Sequence, residues 1–114
     1  WLARHPPLTR LEDLLRATLV HEETHAHWQI WLRAVGVDVS DIPHGPRYWN
    51  AALALDAARM GHGIALANDY IAQDELANGQ LVEVFATEVR LYPYLFMTNA
   101  ERWSEPIITA FRDW

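Results

Sequence analysis

There is no cysteine among the 114 residues, and no lysine. Without cysteine the chain forms no disulfide, thiolate metal centre or cysteine nucleophile, and composition leaves its redox compartment open. Without lysine, arginine is the whole basic complement: nine residues, set against fifteen carboxylates for a formal charge of −6. They stand singly, as Arg4, Arg10, Arg16, Arg33, Arg47, Arg59, Arg90, Arg102 and Arg112, and build no run that could follow a phosphate backbone. A negative segment of this kind is a poor direct binder of nucleic acid, so any contact with DNA falls to another segment. Long apolar runs are missing too: none approaches the ~20 residues of a membrane span. The opening Trp1-Leu2-Ala3-Arg4-His5 has no basic start leading into an apolar stretch, so no secretory leader is expected there. The missing initiating methionine suggests a chain cut from something longer.

What is present is enough for one core, with 51% hydrophobic residues. Thr9-Arg10-Leu11-Glu12 has the form of a capping box, opening a helix with Leu11, Leu14 and Leu15 on one side. Thr18-Leu19-Val20 suits a short buried strand. Trp28, Trp31, Leu32 and Val35 then recur at helical spacing up to Gly36, and Asp38 to Pro46 reads as loop. Arg47-Tyr48-Trp49 is a strand candidate, and Asn50 can cap the alanine-rich helix Ala51 to Met60, closed by Gly61. Ile64 to Ala67 predicts another buried strand, with Asn68 or Asp69 capping a short helix that reaches Leu76. Asn78-Gly79 signals a turn, and strands are expected at Leu81 to Phe85 and Tyr92 to Met97. Ser104 is placed to cap a last helix, with Pro106 in its first turn and Ile107, Ala110, Phe111 and Trp114 along one stripe. Strands alternating with helices predict an α/β domain with a mainly parallel sheet.

His21-Glu22-Glu23-Thr24-His25 matches H-E-x-x-H, in which two histidines one helical turn apart hold zinc and the glutamate activates water. That chemistry needs one continuous helix through both histidines. A single helix over 10–35, turning about 100° per residue, would put the leucine stripe and the tryptophan stripe roughly 100° out of phase. A break over Leu19 to Thr24 removes the conflict, with His21 at a strand end and Thr24 capping the second helix. A third ligand has no familiar spacing either; His27, His44, Glu75 and Glu83 are the candidates. Polar loop groups near a helix N-terminus are therefore the expected role of these residues. Gly61-His62-Gly63 follows a helix, whereas phosphate loops precede one. Ser40 and Ser104 lack a nucleophile-elbow setting. Trp28, Trp31, Phe111 and Trp114 lie on helical stripes and are expected to pack. Tyr48 and Trp49 precede a capped helix, the position at which open α/β sheets bind ligands.

Several stretches in order carry a resemblance. They are Leu19-Val20-His21-Glu22 with Trp28 and Trp31-Leu32, Arg47-Tyr48-Trp49-Asn50, and Ala52 to Ala58 followed by Gly61 to Ala67. Leu76 to Val82, Tyr92-Pro93-Tyr94 and Ala110 to Trp114 continue the series. From about Leu2 to Trp114 the sequence resembles the effector-binding (substrate-binding) domain of LysR-type transcriptional regulators, and is similar to their glycine-cleavage-activator branch. The resemblance implies a type 2 periplasmic-binding-protein-like fold, here one lobe plus the C-terminal strand and helix of the other. On this mapping residues 1–80 form the second effector-binding lobe, Leu81 to Phe85 the return crossover strand, and 86–114 the C-terminal part of the first lobe.

It further implies effector-binding residues at three strand–helix junctions: Tyr48, Trp49 and Asn50; Ala67 and Asn68; and Glu22, Glu23 and Thr24, with Phe85 near the hinge. A small-molecule effector, anionic if helix N-termini receive it, would shift lobe geometry in a cytoplasmic homo-oligomer, a dimer or tetramer. DNA would be touched only by an N-terminal helix-turn-helix domain outside these residues. No catalytic residue, metal, cofactor or membrane contact is implied. The winged helix-turn-helix, linker helix and opening half of the first lobe are absent from these residues, so exposed apolar surface is expected. The competing readings are a zinc-dependent hydrolase through His21, Glu22 and His25, and a periplasmic solute-binding protein of the same fold.

Overall fold

The computed structural model describes residues 1–43, 45–91 and 97–114. Among them the strands are β1 (Leu19–Glu22), β2 (Arg47–Tyr48) and β3 (Ile64–Ala65), and the helices are α1 (Ala26–Ala34), α2 (Ala51–Arg59), α3 (Asp69–Ala77) and α4 (Pro106–Asp113). Short 3-10 segments lie at Leu2–Arg4, Leu11–Arg16 and Ala100–Arg102. The sheet is parallel in the order β2-β1-β3, with His21 opposite Arg47, Glu22 opposite Tyr48, Leu19 opposite Ile64 and Val20 opposite Ala65. From β1 the chain returns through α1 on one side, and from β2 it crosses through α2 to the other side. Right-handed crossovers in opposite directions put their helices on opposite faces of a sheet.

That arrangement explains why β1 is apolar without alternation. Leu19 packs with Trp28 and Leu32 of α1, together with Leu14, Val37, Val39 and Ile64. Val20 faces the other way, onto Ala54 and Ala57 of α2. A central parallel strand is covered on both faces and has no solvent side to present. Burying a side chain the size of Leu32 or Leu19, each 0% exposed, contributes about 1.5–3 kcal/mol. The Trp28 ring is sunk in the same cluster, and its Nε1–H donates to the Val20 carbonyl at 2.8 Å, which ties α1 to the middle of β1. Alanines on the buried face of α2 let that helix lie close to the sheet.

Two glycines permit close backbone approach. At Gly63 a Cβ would stand 2.5 Å from the Thr18 carbonyl oxygen, the same oxygen that accepts from Ile64 N–H at 2.9 Å. At Gly45 it would fall 1.8 Å from the Leu19 carbonyl oxygen. The described residues of 38–46 form loop, as expected, but they are held down: Val39 is buried in the main core, and Pro46 accepts from His21 N–H at 2.9 Å.

Several local expectations are corrected. The cap before Leu11–Arg16 uses Asp13, not Glu12: one Asp13 oxygen accepts from the N–H groups of Thr9 and Arg10, each at 2.9 Å, and the other from Arg16. These bonds, the Arg10 backbone first, then Thr9, then the Arg16 side chain, hold the Asp13 carboxyl well below the usual carboxylate range. Glu12 pairs with Arg10 instead, at 3.4 Å. Trp49 lies outside β2, and β3 ends before Leu66.

Leu81 to Phe85 joins no ladder among the described residues; Val84 and Phe85 pack on the main core instead. A strand needs a neighbour to pair its backbone, and no other strand among the described residues runs beside this one. Of the strand expected over Tyr92 to Met97, residues 92–96 lie outside the described residues. The last helix is preceded by Glu105, not capped by Ser104, because Pro106 at the first helical position pushes the residue before it into extended backbone. The Glu105 carboxylate meets Arg102 through two 2.8 Å bonds, and each pulls the other further into its charged form. The stripe on α4 is not packed as expected: Phe111 is 61% and Trp114 100% exposed.

Candidate functional site

Because the three strands are parallel, their C-terminal ends share one rim, and each leads into a helix N-terminus there. The rim is also where the chain order reverses about β1, the place at which open α/β sheets form a ligand crevice. At the first junction Glu22 is half-buried opposite Tyr48. Glu23 takes up a left-handed backbone (φ 55), and its N–H donates to the Tyr48 carbonyl at 2.7 Å. The turn brings Thr24 Oγ1 within 3.2 Å of Ala26 N–H, but the cap position of α1 falls to His25, whose side chain makes no capping bond, so the cap expected of Thr24 is not formed.

At the second junction Trp49 is 83% exposed, and Asn50 Oδ1 accepts from Leu53 N–H at 3.0 Å. At the third, Asn68 Oδ1 accepts from Ile71 N–H at 3.0 Å. Ala67 lies between the end of β3 and this cap. Each cap satisfies one orphan donor and leaves other first-turn N–H groups pointing at the rim, where the helix ends carry partial positive charge. Fixed partial charges of that sign sit beside the carboxylates of Glu22, Glu23 and Asp69.

Glu22, Glu23, Thr24, Trp49, Asn50, Ala67 and Asn68 thus lie at strand–helix junctions on one side of the sheet. Tyr48 and Phe85 differ. The Tyr48 ring packs on the α2 face with Val20, Ala54 and Ala57, and its hydroxyl lies 3.3 Å from His62 Nδ1, so it meets the rim through backbone only. Phe85 packs on the main core. Two exposed side chains on the first turns of α2 and α3 escaped the sequence reading: Leu53, four residues beyond Trp49, and Tyr70, 81% exposed. Their signal was present, since each falls within a turn of an asparagine cap. A depression of about 250 Å³ lined by His25, Gln29, Ser40, Asp41 and Ile42 was not legible, because it forms only when the 38–43 loop folds back on α1.

The H-E-x-x-H residues do not share a helix. His21 and Glu22 end β1, Glu23 makes the turn, and His25 flanks the start of α1. His21 is 0% exposed, its Nε2 stands 3.1 Å from the Pro43 carbonyl and so donates to it, and its ring meets that of His25 edge-on at 4.2 Å. Among the described residues no group of three or more His, Asp or Glu side chains is placed to hold a metal ion. His44 lies outside them.

The fold is a partial α/β lobe of the type 2 periplasmic-binding-protein-like kind. A family model described as the LysR substrate binding domain matches residues 1–114, and the chain belongs to that family. It is 34% identical over 117 residues to the glycine cleavage system transcriptional activator of Escherichia coli (strain K12), covering 99% of this chain and 37% of that protein. With the glycine cleavage system transcriptional activator homolog of Haemophilus influenzae the identity is 35% over 109 residues, or 95% and 36% of the two chains. The X-ray structure of the effector domain of the transcriptional regulator AmpR of Pseudomonas aeruginosa superposes with a TM-score of 0.69 at 28% identity, covering 94% of this chain and 52% of that one. The chain therefore spans little more than a third of the curated relatives it matches, at 37% and 36%. These relatives are transcriptional activators, and none is named as a zinc hydrolase or a solute-binding protein.

Proposed function

We propose that this chain is the effector-sensing portion of a LysR-type transcriptional regulator, binding a small anionic ligand in a cleft between two lobes and doing no chemistry on it. The observation that carries the reading is the rim: three parallel strand ends, three helix N-termini, two of them capped by asparagine, and an exposed Trp49 on one side of the sheet. Residues 1–80 serve as the second lobe, and 81–114 as the return crossover and the C-terminal part of the first. Tyr48 and Phe85 then act as supports behind the cleft, and Trp49, Asn50, Asn68 and Glu22 to Thr24 face the ligand.

The surface supports a missing second wall. A folded monomer of this mass exposes about 6,400 Å², whereas this chain exposes 8571 Å². Its radius of gyration is 17.2 Å, against about 13 Å for a compact domain of this length. The surplus exceeds the ~800 Å² that one partner contributes to a standard interface. The rest of an effector domain is the natural cover for it, and for Ile107, Phe111 and Trp114 on α4.

An effector with higher affinity for closed than for open lobes shifts the population of the two, and with it the placement of the DNA-binding heads of a cytoplasmic dimer or tetramer. DNA contact belongs to an N-terminal helix-turn-helix domain outside these residues. The test is a thermal-shift screen of the full-length regulator against amino acids and small carboxylic acids, repeated with Trp49→Ala. Trp49 is 83% exposed, so its removal should change stability by no more than about 0.5 kcal/mol. Binding of the active compound should weaken at least ~10-fold, the equivalent of about 1.4 kcal/mol. Undiminished binding by Trp49→Ala, or no shift from any acid, overturns the assignment.

A further inference from the structure

We draw no further inference here: the strongest candidate, the apolar face of α4 formed by Ile107, Phe111 and Trp114, carries nothing beyond the lobe contact already proposed because nothing in the structure shows what covers it.

Discussion

Substituting Gly63 by alanine should break the join between β1 and β3 far more than its size suggests. The backbone there has φ +154, a conformation side chains rarely adopt, and a Cβ would stand 2.5 Å from the Thr18 carbonyl oxygen and 3.2 Å from Thr18 Cγ2. Two costs add. Forcing alanine into a glycine conformation costs about 1–2 kcal/mol. Moving the Thr18 carbonyl aside also weakens its bond to Ile64 N–H, and leaving a buried group unpaired costs about 1–3 kcal/mol. The expected loss is therefore about 2–5 kcal/mol, reaching the upper end for a single substitution.

Gly36→Ala is the matched control, because Gly36 has φ +85 and nothing within 4 Å of the added methyl. It should pay the backbone cost alone, about 1–2 kcal/mol. Urea unfolding of both variants beside the parent chain, followed by circular dichroism, measures the difference. Equal losses for the two would show that the Gly63 contact with Thr18 does not hold the strands together, and the close-approach argument would be wrong.

Other expectations follow from the caps and the core. Asn50→Ala should cost about 1 kcal/mol by freeing Leu53 N–H, whereas Asn50→Asp should keep the cap and hold or slightly raise stability through the helix dipole; a loss in the aspartate variant as large as in the alanine one contradicts the capping role. The Asp13 carboxyl is depressed when folded, so the unfolded state binds the extra proton. Its stabilising effect is complete above the unfolded value of about 4 and fades as pH falls further. Asp13→Asn should flatten the rise of stability with pH between about 2 and 5, which denaturation at several acid pH values reads directly. Leu32→Ala should cost about 2–5 kcal/mol by opening a cavity between α1 and β1; a loss under ~1 kcal/mol by chemical denaturation would mean that this contact is not core.

Local chemistry made much of the chain legible before any coordinates. Asn50 and Asn68 are efficient caps wherever they stand, because their side-chain oxygen reaches the N–H three residues on, and both helices begin where the caps predict. The clash between the leucine and tryptophan stripes located β1 correctly, since one helix cannot bury two faces a quarter-turn apart. The break also separated His21 from His25, which removed the helix that zinc chemistry requires. The ordered series of motifs identified the family, and the match over residues 1–114 agrees.

Tertiary structure decided what depended on a neighbour. Leu81 to Phe85 has the composition of a strand, but a strand exists only with a ladder partner, and none among the described residues offers one. The α4 stripe is amphipathic by sequence, yet periodicity says only that a face needs covering and not that it is covered here. Tyr48 and Trp49 are adjacent aromatics before the same cap. Tyr48, the last residue of β2, packs into the α2 contact, and Trp49, just past the strand, is left in solvent. The sequence alone determined where α2 and α3 start, and which family the chain resembles. Only the parallel sheet, by ordering its strands β2-β1-β3 and aligning their ends, brought those helix starts together on one rim.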